Sequence, residues 1–152
     1  MAERWPAEPP EGTLAPVRAR REALETAASE LEHTLAAPSA TTQWRTGVVA
    51  ALQRSGIVLD EHLHENQGQL GIPESVVQAE PRLAGPAEQL SREHDDLMSE
   101  HRRVSAVAVD ASQPPDAVRD AAAGLATLMR RHVQHSHDLI YDAFEVELGG
   151  GD

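Results

Sequence analysis

Residues 115–148 read PDAVRDAAAGLATLMRRHVQHSHDLIYDAFEVEL. The stretch opens on proline, which is tolerated in a first helical turn, and Gly149, Gly150 and Gly151 follow it. Leu125, Leu128, Leu139 and Val146 recur at helical spacing, which predicts one long helix over Pro115–Leu148. Gly124 inside it costs about 1 kcal/mol relative to alanine. Four residues beyond Leu128 the apolar line meets His132, and three further on it meets His135. Polar rings therefore sit on the stripe that should be buried.

The same punctuation recurs upstream. Ser112-Gln113-Pro114-Pro115 is a restart. Before it, Leu90, Leu97, Val104 and Ala108 predict a helix that begins near Pro81 or Pro86 and runs to Asp110. Residues 68–81 form a connector in which Glu74–Ala79 supplies one short helical turn. A second helix is capped by Ser39, Thr41 or Thr42, follows Val48, Leu52, Ser55 and Leu59, and stops near Gln67, before Gly68 and Gly71. The first runs from a Thr13 cap to Ala37 on Val17, Leu24, Ala28, Leu31 and Leu35. Short connections make consecutive helices antiparallel neighbours. The expected fold is all-α, an antiparallel up-down-up-down four-helix bundle over residues 13–148. An arm (1–12) and a tail (149–152) flank it. Trp44 is expected near the upper turn, with Tyr141 and Phe144 against the connector.

Composition narrows the function. The 152 residues suit one domain of ordinary size. A net charge of -12 repels phosphate backbones and argues against nucleic-acid binding. All 13 basic residues are arginine, and the absence of cysteine excludes disulfides and thiolate metal sites. No stretch approaches the roughly 20 apolar residues of a membrane span, and residues 1–11 hold no apolar run of a secretory signal. A soluble cytoplasmic protein is the default expectation. No phosphate-binding loop, dinucleotide loop or nucleophile motif is present.

The compositional anomaly is eight histidines. Leu59 plus three gives His62; Leu90 plus four gives His94; Leu97 plus four gives His101. His94 lies about 17 residues before the last interhelical turn and His132 about 17 residues after Pro115, so they face each other. His62 falls roughly 7 Å lower at about 1.5 Å of rise per residue. Three helices thus aim an imidazole at one region of the core. Imidazole is the commonest protein metal ligand, and bundle cores often carry such sites. His33 and His64 point outward and His137 lies at the edge of the stripe. His101 sits about 10 Å above His94, where a core hydrogen bond suits it better than a second ion.

These residues resemble the hemerythrin-like (HHE cation-binding) domains. The resemblance covers most of the chain after the arm. It rests on Leu59-Asp-Glu-His62-Leu-His-Glu65, on Pro81-Arg-Leu with Leu90-Ser-Arg-Glu93-His94, and on Arg131-His132-Val-Gln-His135-Ser-His137-Asp-Leu-Ile-Tyr141. It implies a non-haem di-iron centre that handles oxygen, nitric oxide or a redox signal. His62, His94 and His132 match three of the family's histidine ligands. Other positions depart from it. The carboxylate expected four or five residues after the second-helix histidine is replaced by Asn66 and Gln67, with Glu65 one residue early. Ser136 and His137 stand where the fourth helix should supply its carboxylate. The first-helix histidine is missing, and the stretch there reads Arg20-Arg21-Glu22-Ala23-Leu24-Glu25.

Two adjacent iron ions need bridging, charge-neutralising carboxylates. A single ion demands less. The candidate ligands are His62, Glu65, His94, His101, His132 and His135, with Glu22 as a further carboxylate. Nitrogen-rich ligation suits ferrous iron, zinc or copper. Glu93 and Glu100 could accept hydrogen bonds from the rings beside them, although such an acidic flank is more often simply solvated. Two functions from different classes follow. One is a hemerythrin-like protein with a degenerate metal site handling iron, oxygen or redox signals. The other is a metal-free bundle with hydrogen-bonded core histidines, acting as a structural or interaction module. A mononuclear enzyme is a third possibility, with no substrate named by the sequence.

Overall fold

A computed structural model describes residues 14–65 and 72–144, and among them there is no strand. The helices are α1 (Leu14–Ala36), α2 (Thr42–Glu65), α3 (Ile72–Ala79), α4 (Ala84–Val109) and α5 (Pro115–Phe144), with a short 3-10 turn at Pro81–Leu83 before α4. Thr13 as a cap, Gly68 and Gly71 as stops, the last turn before Leu148, the arm and the tail lie outside the described residues.

Each boundary has a local cause. Pro115 opens α5, and the Pro114 carbonyl accepts from the Ala117 and Val118 amides. Thr41 accepts the Trp44 amide on its hydroxyl, satisfying one of the unpaired donors of the α2 start. Arg45 donates to the carbonyls of Asp110 (2.9 Å) and Gln113, so a side chain of α2 ties down the turn between α4 and α5. Trp44 is buried beside the α1–α2 turn, with the Arg119 guanidinium 5.0 Å above its ring.

Cross-helix pairs fix the direction of each neighbour. Arg54 meets Glu30 and Arg20 meets Glu61, so α1 and α2 are antiparallel. Arg130 meets Glu32 while Arg119 reaches the Ala37 carbonyl, so α1 and α5 are antiparallel. His101 meets Leu52 while Arg45 reaches Asp110, so α2 and α4 are antiparallel. With α4 packed on α5, the four long helices close a ring in the order α1, α2, α4, α5. The short α3 lies against α4 and α5.

Two apolar clusters fill the interior. The larger draws on all four long helices, including Leu24, Leu31, Leu52, Leu97, Val104, Leu125 and Met129. The smaller gathers Val76, Leu83, Leu90, Leu139, Ile140 and Phe144 beneath α3. Phe144 therefore packs against the connector helix, whereas Tyr141 is exposed. The connector forms more structure than one turn because Val76 is fully buried and Val77 packs on the same cluster.

One close approach between helices depends on glycine. A Cβ on Gly56 of α2 would lie 2.7 Å from Cε1 of His101 on α4. The same ring places Nε2 2.7 Å from the Leu52 carbonyl. Gly56→Ala is expected to destabilise the protein by up to about 2 kcal/mol, because the ring must leave that bond to make room, which outweighs the roughly 1 kcal/mol that alanine gains inside a helix. Urea denaturation measures it. In a His101→Ala background the same change should cost much less, and an equal cost in both backgrounds would exclude this contact as the cause.

Candidate metal centre

Between the two apolar clusters the core turns polar. His62 on α2, His94 on α4 and His132 on α5 are each at most 5% exposed. Their ring centroids stand 4.9 Å (His62–His94), 5.1 Å (His62–His132) and 4.5 Å (His94–His132) apart, all edge to face. One nitrogen from each ring lies within 4.8 Å of the others. The spacing inferred from loop lengths left His62 a little below its partners; imidazoles reaching inward from antiparallel helices close that gap.

The hydrogen bonds orient the rings. His132 Nδ1 lies 2.9 Å from Glu93 Oε2, and His135 Nδ1 lies 2.6 Å from Glu93 Oε1. A carboxylate only accepts, so both Nδ1 atoms carry hydrogen and donate. Neutral His132 then has a bare Nε2, and His62 Nε2–H donates to it across 2.9 Å. Nε2 of His94 is buried with no hydrogen-bond partner.

Burial sets the protonation. The His132 pKa is pushed down to about 3, first by loss of solvent and then by repulsion from His94 and His135. His94 is also lowered, again chiefly by burial, with Glu93 and Asp95 pulling the other way. A neutral imidazole is the ligand form, so burial keeps these rings ready for a cation at neutral pH.

The remaining candidate positions separate. His135 is half exposed and stands behind Glu93 as seen from the cluster, so its Nδ1 faces the carboxylate. His101 turns its Nε2 to the Leu52 carbonyl. Glu22 is exposed on α1. The side chain of Glu65, with Asn66 and Gln67, lies outside the described residues. Arg20 pairs with Glu61 at 2.7 Å, next to His62, so the arginine-bearing stretch of α1 reaches the level of the cluster. Glu100 pairs with Arg103 at the surface. Ser136 is buried on α5, one turn beyond His132.

A cleft of about 200 Å³ between α4 and α5 reaches His132 and is lined also by Gln89, Glu93, Asp96, Arg131 and His135. A second, of about 250 Å³, shares Gln89, Glu93 and His135 and adds Asp138 and Asp142. The buried rings therefore adjoin an acidic surface.

The hemerythrin HHE cation-binding domain model matches residues 14–144. The chain belongs to that family. Neither the curated proteins nor the solved structures compared with it gave a match. The hemerythrin-like fold is present, and so is a buried three-histidine cluster able to coordinate a divalent ion. Among the described residues no carboxylate joins that cluster.

The donor set separates two kinds of occupant. Donors held tetrahedrally at about 2.0–2.1 Å from one ion stand about 3.3 Å apart. The three ring nitrogens already lie within 4.8 Å of one another, and the buried His94 Nε2 has no hydrogen-bond partner to give up. Two iron ions do not fit three imidazoles, because no carboxylate in the cluster offsets or bridges their charge.

Proposed function

We propose that this protein is a hemerythrin-like metal-binding protein whose degenerate site holds one divalent ion on His62, His94 and His132. The observation that carries this reading is the buried Nε2 of His94, left without a hydrogen bond inside a cluster of three buried imidazoles. Leaving such an atom unpaired costs about 1–3 kcal/mol, and a metal ion removes that cost. Ferrous iron is the occupant the family suggests; zinc and copper suit the same nitrogen donors. An ion with a free coordination position would supply Lewis-acid or redox chemistry toward oxygen or another small diatomic. The chain's own part is to keep His94 and His132 neutral, exclude bulk water and present an acidic surface beside them. Handling of iron, oxygen or a redox signal inside the cell is the role that this site supports.

The His62–His132 hydrogen bond favours a second reading, in which the layer stays metal-free and specifies how the helices pair. Metal analysis of tag-free protein, before and after anaerobic loading with Fe(II), Zn(II) or Cu(II), separates the two. About one ion per chain is expected, lost on His132→Ala. Protein that retains none of these ions after loading would leave the metal-free bundle as the function.

A further inference from the structure

The proposed site explains three buried rings but leaves Glu93 and His135 without a task. Glu93 is only 17% exposed, and each of its oxygens takes a different imidazole N–H. His135 is 46% exposed, so the carboxylate joins a buried ring to a ring at the surface. The helical frame explains the placement. Glu93 directly precedes His94, so α4 sends one side chain into the cluster and the adjacent one toward α5. On α5, His132 and His135 are three residues apart and share a face, which lets one carboxylate bond both.

An imidazole has two tautomers, and only one leaves Nε2 free for the core. We propose that Glu93 is the positioning residue of the cluster: it holds His132 as the Nδ1–H tautomer with its Nε2 lone pair facing His62 and His94, while His135 anchors the carboxylate. The proposal rests on the single-ion reading of the three histidines and adds the residue that prepares one of them. Glu93 meets His132 from the side opposite the cluster, so it acts through that ring.

Two readouts test it. The first is long-range ¹H–¹⁵N correlation of the histidine rings in metal-free protein, which reports each tautomer without any ion. Wild-type His132 should carry its proton on Nδ1, and Glu93→Ala should mix or reverse that assignment. The second is Co(II) or Zn(II) affinity, expected to fall about 10–100-fold in Glu93→Ala at unchanged stoichiometry. Glu93→Gln keeps an oxygen acceptor for His132, so it should retain the tautomer with a smaller loss. It also serves if the alanine variant does not fold. Glu100→Ala, which breaks only the surface pair with Arg103, should change neither readout.

The outcomes are separable. Glu93 variants that keep the wild-type tautomer and affinity would overturn the positioning role while the metal reading stands. Wild-type protein that shows the Nδ1–H tautomer and its loss in Glu93→Ala, yet binds none of Co(II), Zn(II), Fe(II) and Cu(II), would overturn the metal reading instead.

Discussion

His94→Leu is expected to stabilise the metal-free protein by about 1–3 kcal/mol and, in the same chain, to remove most of its stabilisation by Zn(II) or Fe(II). The first effect follows from Nε2 of His94, which is buried with no partner. Leucine is close in size, has no polar atom to desolvate, and meets Leu90 and Leu97 on the same face of α4. The second effect follows from the loss of a ligand. Structural zinc sites with four ligands are worth about 10–16 kcal/mol, so one ligand carries about 2.5–4 kcal/mol, or roughly 10²–10³ in affinity. Stabilisation by an ion that binds only the folded state falls accordingly.

The neighbouring histidines should behave differently. His132→Leu removes the hydrogen bond to one Glu93 oxygen and the one from His62, so it should destabilise even the metal-free protein. Urea denaturation of both variants, with chelator and with excess metal, gives all four numbers. A metal-free His94→Leu protein less stable than wild type would mean that this ring has a partner in solution. Unchanged stabilisation by metal would remove His94 from the site.

Acid is expected to unfold the metal-free protein over a range set by His132. In the unfolded chain this ring takes up its proton near pH 6.5, the ordinary value for histidine, and in the folded core only near pH 3. Between those limits the unfolded state holds the extra proton. Stability therefore falls as the pH falls from about 6.5 toward 3, by up to about 1.4 kcal/mol per unit for this ring. Above pH 6.5 neither state is protonated there, and the contribution is complete and flat. His94, lowered for the same reason, adds loss in the same direction. Glu32 and Glu100 are held down by Arg130 and Arg103, so they lose stabilisation only in stronger acid, and little of it at exposed positions. Denaturation curves in chelator at pH 7, 6, 5 and 4 measure the slope. A flat profile from pH 6.5 to 4, or a slope undiminished in His132→Leu, would show that burial does not hold this ring neutral.

The fold was readable because proline and glycine punctuate the chain near most helix ends and a line of largely apolar residues runs at helical spacing between them. The three inward histidines were readable for the same reason, since each falls on the stripe of its own helix. Other features depend on contacts between helices that periodicity cannot show. Glu93 sits off the apolar line, and only the approach of α5 reveals that both its oxygens are used. His101 lies on the line, but its ring turns to a carbonyl because Gly56 leaves room; a glycine inside α2 at that height was the available signal. The ring of the connector helix against α4 and α5 comes from Val76, whose burial depends on the distant Leu139 and Phe144.

The histidine layer also divides the bundle's burial into two unequal compartments. Above it all four long helices share one apolar body; below it a smaller body is closed by the eight-residue α3. The smaller compartment holds fewer buried apolar side chains, so a local opening confined to it would cost less than one of the larger. Such a partial opening would bare His94 and His132 from beneath while the upper helices kept their register. Exchange of an ion at the proposed site would then be governed by the stability of one end of the bundle rather than by the width of any channel.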